Sequence, residues 1–252
     1  MKKYIKIIVF VIALLIVFIT YKAFQKENEK INYIALGDSL AEGMDPYFNI
    51  DYGYTDYISD YLKKENMLGF YTKAFAKSSY RTKDLKYDIE SNKSVEIDGK
   101  KLYIKEVLRE SDLVTLTIGA NDFIRTLTLD TIEERIKDVP KTKQEADEIA
   151  EKIKELIILI QQYAKKRIIV TGYYNPFPRL NEYKEEVDEI IKYFNHQIEE
   201  VCEELKVEYV DVFDLFEGNK EALPNPFNIH PSKYGYELMA KEVIKTIEQL
   251  TK

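Results

Sequence analysis

The chain has little cysteine and little histidine: Cys202 is its single cysteine, and its two histidines are His196 and His230. One cysteine excludes an internal disulfide and any cysteine-rich metal site. Cys202 lies in the run NHQIEEVCEELKV, which has helical spacing, so we expect a buried structural thiol rather than a reactive one. Any reaction that needs an imidazole base must use one of the two histidines.

The chain also lacks an excess of basic residues. Its formal net charge is −7, and the first thirty residues hold six lysines and two glutamates, so the remainder carries about −11. An acidic domain has no electrostatic footprint for nucleic acid, and its charge does not draw it to anionic lipid. Hydrophobic residues make up 45% and charged residues 32%, an ordinary globular balance. We therefore expect a globular domain without a nucleic-acid partner.

The N-terminal segment differs from the rest of the chain. Three lysines precede the apolar run IIVFVIALLIVFITY at 7–21, a pattern typical of an export signal. Counted from Tyr4 to Phe24, the segment is just long enough to span a bilayer, which needs about 20 residues, and no small-x-small cleavage site follows. We predict a signal anchor or signal peptide over 1–24, with the uncleaved anchor favoured, and a charged tether over 25–30. The domain is then expected on the extracellular face of the cell membrane, or secreted if the segment is cleaved.

From residue 31 onward, apolar runs of strand length alternate with longer amphipathic stretches. This alternation indicates one α/β domain over 31–252, with a parallel sheet covered on both faces. The predicted strands are 31–37, 70–76, 112–122, 167–177 (the last with a proline-bearing loop) and 207–213. The predicted helices are 53–67, 81–90, 143–166, 182–205 and 232–250, with a small hairpin at 94–104.

Three of the predicted strands are followed by side chains that could perform acyl chemistry. Ser39 follows the first strand in IALGDSLAEG, Asn121 ends the third in TIGAND, and His230 follows the fifth in NPFNIHPSKYGY. Ligands bind at the carboxyl ends of such strands, so the three can converge there. Ester hydrolysis needs a nucleophile, a base and oxyanion donors, which these residue types supply. Gly-Asp-Ser is also a common turn, and His196 is expected to be a partly buried structural histidine in a helix.

The segments ALGDSLAEG, TIGAND and IHPSKYGYELMA resemble the first, third and fifth sequence blocks of the GDSL or SGNH hydrolase superfamily. The blocks come in the expected order, and the resemblance extends over 31–250. It implies a flavodoxin-like three-layer α/β/α sandwich with a five-stranded parallel sheet, and esterase, lipase or related acyl-hydrolase activity that needs no metal or other cofactor. Within the superfamily, the chain looks most similar to secreted or membrane-anchored lipases and esterases of Gram-positive bacteria.

The resemblance implies a role for each matching residue. Ser39 matches the nucleophile, with its backbone N–H as an oxyanion donor, and His230 matches the base. Asn121 matches the asparagine whose side-chain amide is a further oxyanion donor. Asp38 and Asp122 are motif residues that are expected to fix their loops rather than to react.

The second sequence block departs from the superfamily pattern. That block usually supplies a glycine whose N–H is an oxyanion donor, but in FAKSSYRTKDL the position is Ser79. The backbone N–H of Ser79 can still donate if its conformation tolerates a Cβ atom. We therefore keep Ser79 as an oxyanion residue.

The fifth block departs further, because the superfamily's acid normally lies three residues before the histidine and that position here is Phe227. The acid normally holds the imidazole tautomer and stabilises the imidazolium. Asn228 or a backbone carbonyl could orient His230 instead, a carboxylate such as Asp211 or Asp214 could reach it, or activity could be low. We favour orientation by a neutral group, and hence a Ser–His dyad.

Substrate selection is expected from the loops beyond the strands. Segments 45–54, 123–142 and 173–180 are rich in tyrosine, phenylalanine or leucine, as apolar ligand sites are. We predict acyl lipid or phospholipid esters as substrates, ahead of O-acetylated cell-wall polysaccharide. Two alternatives are acyl transfer to a sugar or alcohol, and a degenerate member that only binds lipid or glycan.

Overall fold

The computed structural model describes residues 11–18, 30–124, 137–177 and 181–250. Its strands are β1 (Ile31–Gly37), β2 (Leu68–Ala76), β3 (Ser94–Ile97), β4 (Lys100–Tyr103), β5 (Leu113–Thr117), β6 (Arg167–Thr171) and β7 (Glu208–Val210). Five of them form one parallel sheet in the order β2-β1-β5-β6-β7. The strand order reverses between β1 and β5, and in α/β sheets such a switch point is where ligands bind.

Helices cover both sides of the sheet. They are α1 (Ser39–Glu42), α2 (Tyr54–Lys64), α3 (Thr82–Glu90), α4 (Ile104–Arg109), α5 (Ala120–Ile124), α6 (Val139–Gln161), α7 (Lys184–Leu205) and α8 (Lys233–Leu250). Helix α2 packs against α8, and α6 packs against α7 and α3. The predicted α/β/α sandwich with a five-stranded parallel sheet is confirmed.

A buried ladder of hydroxyl groups braces the carboxyl end of the sheet. The Tyr54 hydroxyl lies 2.6 Å from Thr117 Oγ1, which lies 2.7 Å from Thr171 Oγ1. All three side chains are buried, where a satisfied hydroxyl is far cheaper than an unsatisfied one. The ladder therefore ties α2, β5 and β6 together directly beneath the edge where the candidate residues lie.

The predicted elements are present, with several boundary differences. The third sheet strand ends at Thr117 rather than at residue 122, because α5 begins at Ala120. Helix α6 begins at Val139, four residues earlier than predicted, with a proline in its first turn and Asp138 as its N-cap. The hairpin turns at Asp98 and Gly99, both with positive φ, as a two-residue hairpin loop requires. The short helices α1 and α4 were not predicted.

The N-terminal prediction is only partly covered by the described residues. Residues 11–18 are helical with exposed side chains, and the rest of 1–24 lies outside the described residues, as do 25–29. Lys30, the last residue of the predicted tether, donates hydrogen bonds to the backbone carbonyl and side chain of Asn66. In the part of the chain that the structure describes, no helix is both long enough and apolar enough to cross a bilayer.

Candidate active site

Ser39 is the first residue of α1, at the carboxyl end of β1. The Asp38 side chain accepts a hydrogen bond from the Leu40 N–H at 3.0 Å and so caps α1. The Asp38 N–H donates to the Thr117 carbonyl of β5 at 3.0 Å. Asp38 is buried, and burial raises the pKa of its carboxyl group to about 7, although the hydrogen bond from Leu40 acts to lower that pKa. These contacts make Asp38 the residue that fixes the turn on which Ser39 stands.

His230 lies directly against Ser39, although 191 residues separate them in the chain. Its Nε2 is 2.8 Å from Ser39 Oγ, and its Nδ1 is 2.5 Å from Asn228 Oδ1. The backbone N–H of His230 donates to the same Asn228 oxygen at 3.0 Å. A backbone N–H can only donate, so the shared atom must be the amide oxygen and Nδ1 must carry the imidazole proton. Nε2 is then unprotonated and can accept the hydroxyl proton of Ser39.

Asn228 is thus the neutral group that orients His230. Its side chain is buried, and among the described residues its Nδ2 has no hydrogen-bond partner. Asp211 and Asp214 lie elsewhere, lining a separate cavity beside His196. Among the described residues no carboxylate hydrogen-bonds the ring. Burial lowers the pKa of His230 to about 4, and Asp45 opposes the shift from a distance.

His196 and Cys202 lie on α7, away from Ser39. The prediction that His196 is partly buried was wrong: its side chain is 60% exposed, with its ring nitrogens 3.9 and 3.7 Å from the carboxylates of Glu199 and Glu200. It lies one helical turn from each glutamate, on the solvent face. Cys202 is a buried free thiol as predicted, and burial raises its pKa to about 12.

The turn at 77–80 carries Ser79 and is hydrogen-bonded to β1 and to α1, the helix that begins with Ser39. The Lys77 N–H donates to the Gly37 carbonyl at 3.0 Å, and Glu42 of α1 accepts from the Ser78 N–H at 2.6 Å and from the Ser78 hydroxyl. Ser79 has φ +66°, in the left-handed region that favours glycine. Ser79 therefore adopts a left-handed backbone conformation that is usual for glycine, the residue that the superfamily pattern has at this position. The role of Glu42 was not anticipated, although it lies one helical turn after Ser39.

Asn121 and Asp122 join α5 to the same turn and to α3. The Asn121 side-chain amide donates to the Tyr80 carbonyl at 3.0 Å. An amide nitrogen carries two N–H groups, so one can bind Tyr80 while the other faces a ligand. Asp122 accepts from the Thr82 N–H at 3.0 Å and from the Thr82 hydroxyl at 2.8 Å. The loop after β5 and the turn after β2 are therefore one hydrogen-bonded unit.

The described residues contain no group of three or more histidine, cysteine, aspartate or glutamate side chains arranged to hold a metal ion. The arrangement that the structure does provide is a serine hydroxyl against an unprotonated imidazole nitrogen. The turn that carries Ser79 is hydrogen-bonded to Gly37 and Glu42 on either side of Ser39, and Asn121 is hydrogen-bonded to that same turn. Such a set can activate a hydroxyl nucleophile and bind an oxyanion.

Solved structures with a similar fold include lipases and acetylxylan esterases. The lipase Lip_vut3 from a goat rumen metagenome is 23% identical with a TM-score of 0.65, over 84% of this chain and 95% of that one. An extracellular lipase from Streptomyces rimosus is 18% identical with a TM-score of 0.61, covering 86% and 98%. The acetylxylan esterase Axe2 from Geobacillus stearothermophilus is 20% identical with a TM-score of 0.58, covering 88% and 96%.

Sequence comparisons agree with the fold. The protein YpmR from Bacillus subtilis strain 168 is 26% identical over 232 residues, which is 89% of this chain and 84% of the relative. The family model described as the GDSL-like lipase/acylhydrolase family matches residues 35–238, a range that includes Ser39, Asn121 and His230. The resemblance found in the three sequence blocks is thereby confirmed, and the chain belongs to the GDSL-like lipase/acylhydrolase family.

Proposed function

We propose that this protein is a serine esterase that hydrolyses carboxylic esters through an acyl-enzyme on Ser39. The observation that carries the proposal is the 2.8 Å contact between Ser39 Oγ and His230 Nε2. The contact is meaningful because the Asn228 oxygen fixes the tautomer in which Nε2 is the acceptor. An acetylated-glycan binder or a lipid binder would need no such pair.

The first half-reaction uses the hydroxyl as the nucleophile. Ser39 Oγ attacks the ester carbonyl carbon as its proton passes to Nε2 of His230. Negative charge develops on the carbonyl oxygen, where the backbone N–H groups of Ser39 and Ser79 and the amide of Asn121 can donate to it. The intermediate collapses when the imidazolium of His230 gives its proton to the leaving alcohol oxygen. The alcohol departs and an acyl group stays on Ser39.

The second half-reaction repeats the same steps with water. His230 takes a proton from a water molecule, whose oxygen attacks the acyl carbon, and then returns that proton to Ser39 Oγ. Asn228 keeps Nδ1 protonated throughout and does not itself react. If a sugar or lipid alcohol replaces water, the same residues perform acyl transfer.

Acyl lipid or phospholipid esters are the substrates we propose first. The fold is shared with two lipases, and the exposed ring of Phe48 lies beside the His230 ring. The second candidate is an O-acetylated polysaccharide, which the shared fold of an acetylxylan esterase favours. Hydrolysis of p-nitrophenyl esters of increasing acyl length separates the two, because activity on acetate alone would favour the polysaccharide.

Labelling with a fluorophosphonate probe tests the nucleophile. We expect labelling of the wild-type protein and none of Ser39→Ala, with ester hydrolysis lost in Ser39→Ala and His230→Ala. Ser59→Ala is a matched control, because Ser59 is as buried as Ser39 (8% exposed each) but lies on α2. Absence of labelling in the wild type, or equal labelling of Ser39→Ala, would sink the proposal.

We also propose that residues 1–24 attach the domain to the extracellular face of the cell membrane. The support is the lysine-flanked apolar run at 7–21. Alkaline extraction of membranes and protease treatment of intact cells test it. Retention in the membrane with digestion from outside is expected. Recovery from the medium would indicate cleavage, and protection inside intact cells would contradict the proposal.

A further inference from the structure

Exposed apolar side chains are concentrated beside His230. Among the described residues of the α/β domain, nine large apolar side chains are exposed. Three of them lie on the loop whose Phe48 ring contacts the His230 ring, and a fourth lies on the loop that leads into His230. We refer to these four as the aromatic rim: Tyr47, Phe48, Ile50 and Phe227, which are 67%, 68%, 49% and 75% exposed. Single exposed apolar residues are ordinary, but a group of them beside a reactive pair marks a binding surface.

The first loop of the rim is braced in one conformation. The Asp45 side chain accepts hydrogen bonds from the backbone N–H groups of Tyr47 and Asn49 at 2.7 and 2.8 Å, and from the Asn49 amide at 3.0 Å. Within this turn Phe48 has φ +66°, which is uncommon for a bulky residue. The turn thus holds a phenyl ring in solvent at the expense of backbone strain.

The second loop of the rim is joined to the first. The Asn225 amide donates to the Pro46 carbonyl at 2.7 Å, and Asn225 Oδ1 accepts from the Phe227 N–H at 3.0 Å. One asparagine therefore fixes both loops relative to each other. The rim is a single built surface rather than a set of scattered side chains.

One ring of the rim contacts the imidazole that acts as the base in the proposed reaction. The Phe48 ring meets the His230 ring edge to face, with centroids 6.4 Å apart and an interplanar angle of 70°. In the proposed reaction His230 protonates the leaving alcohol oxygen, so the alcohol portion of the ester must lie next to this ring. The oxyanion donors Ser79 and Asn121 come from two other loops. The rim is thus placed to contact the alcohol portion of the ester.

Charge beside the rim further narrows the class of alcohol. Partial burial acts to raise the pKa of Asp45. Hydrogen bonds from Asn49 and from the backbone outweigh this effect and lower the pKa below its usual range. Asp45 is therefore a carboxylate at neutral pH, and it lies close enough to His230 to act on its titration. The neighbouring charges of Lys233 and Asp51 pair with each other at 2.8 Å, so the Asp45 carboxylate would repel a negatively charged leaving group here.

We propose that the aromatic rim is the site for the alcohol portion of the ester, and that it selects uncharged hydrophobic alcohols. This inference rests on the proposed esterase function and narrows its substrate class. It favours neutral lipid esters with hydrocarbon on the alcohol side, over phospholipid head groups and over acetylated sugars.

Two ester series test the proposal on the full chain. In the first, the acyl group is butyrate and the alcohol is ethanol, butanol or hexanol. In the second, the alcohol is ethanol and the acyl group is butyrate, hexanoate or octanoate. We expect kcat/KM of the wild type to rise along the alcohol series, by up to about fourfold for each methylene that the rim buries. Phe48→Ala and Phe227→Ala should flatten this rise and lower hexyl butyrate hydrolysis at least about tenfold, leaving the acyl series unchanged.

The control is Phe70→Ala, because Phe70 is an exposed phenylalanine (38%) in β2, away from His230. Fluorophosphonate labelling at the wild-type rate shows that each rim variant keeps an intact site. Two outcomes would overturn the inference about the rim but leave the proposed esterase function standing. One is normal labelling of the wild type with kcat/KM that does not rise along the alcohol series, and the other is a rim variant that alters the acyl series instead. Absence of both labelling and hydrolysis in the wild type would overturn the proposed function and this inference with it.

Discussion

Asn228 holds the imidazole of His230 with one oxygen that accepts two hydrogen bonds, from Nδ1 and from the backbone N–H. This arrangement fixes the tautomer without placing a negative charge against the ring. The consequence is a base whose pKa burial lowers to about 4. Such a base is unprotonated at neutral pH but weak, since a base works best with a pKa near the working pH.

Exchanging the amide for a carboxylate tests this account. In Asn228→Asp the oxygen acceptor is kept, the Nδ2 group without a partner is removed, and the imidazolium gains a charge-assisted hydrogen bond. Since a charged hydrogen bond exceeds a neutral one by about 1–1.5 kcal/mol, we expect kcat/KM at pH 7 to rise about tenfold. Asn228→Ala should lower it, by up to about 10⁴-fold if the tautomer is lost. A lower rate in Asn228→Asp than in the wild type would contradict this account.

The pH profile reports the same residue. In the proposed reaction His230 must be unprotonated to act, so wild-type kcat/KM should stay high as pH falls through 6.5 and decline only near pH 4. In Asn228→Asp the new carboxylate stabilises the protonated ring, so the acid limb should move to higher pH. Initial rates across pH 3.5–8 with an uncharged ester give both limbs. An acid limb near pH 6.5 in the wild type would show that burial does not lower the pKa of His230.

At the scale of elements, the junction of β1 with α1 depends on Gly37. Its φ is +137°, and a Cβ atom at this position would lie 2.1 Å from the Thr117 carbonyl oxygen of β5. This carbonyl accepts the Asp38 N–H, so it cannot move away without losing the contact that fixes the turn. The glycine of the GDSL block is thus required by the close approach of two parallel strands.

Gly37→Ala should therefore lower the free energy of unfolding by about 3 kcal/mol or more, the range of a strained and overpacked position. Gly99→Ala is the matched control, because Gly99 also has positive φ (+74°) but nothing within 4 Å of the added Cβ. It should cost only about 1 kcal/mol. Urea denaturation of both variants measures the difference, and equal losses would mean that only φ matters.

In the proposed reaction the turn at 77–80 contributes only a backbone N–H, so the side chain of Ser79 should be replaceable. Ser79→Gly keeps the N–H and relieves the left-handed strain, at the entropic cost of a glycine. We expect kcat/KM within about twofold of the wild type and unfolding free energy unchanged or higher by up to about 1 kcal/mol. A tenfold loss of activity would instead assign a function to the hydroxyl, and Ser79→Ala would show the same loss.

At the scale of the whole molecule, two buried groups make opposite contributions to the pH dependence of stability. The pKa of Asp38 is raised by burial from 3.8 to about 7, so its contribution is present below pH 3.8 and is lost as pH rises to 7. The pKa of His230 is lowered by burial from 6.5 to about 4, so its contribution is lost as pH falls from 6.5 to 4. The two slopes oppose each other over the same range.

Replacing His230 should reveal the pH dependence of stability that Asp38 contributes. Between pH 4.5 and 6.5 we expect the wild-type unfolding free energy to change little with pH. In His230→Gln only Asp38 remains, and stability should fall as pH rises, by up to about 1.4 kcal/mol per pH unit. Denaturant midpoints at several pH values measure this. Parallel curves for the two proteins would contradict the opposing contributions.

Much of this molecule was determined by its sequence alone. Strands buried on both faces read as continuous apolar runs, such as IALG and LVTLT, and amphipathic spacing marked the long helices, so element type and order followed. Short elements did not follow: α1 exists because Asp38 caps it, and α4 because of its packing. The motif residues were found because Ser39, Asn121 and His230 follow strands whose carboxyl ends share one edge.

What only the tertiary structure decided concerns atoms that are distant in the chain. Sequence left Asn228, a backbone carbonyl, Asp211 and Asp214 open as partners of His230, because spacing does not say which side chain faces a ring. It marked 45–54 only as an aromatic loop, whereas folding placed Phe48 against His230. Local pattern determines elements because it reflects burial. Orientation within the site depends on hydrogen bonds that form only when separate loops meet.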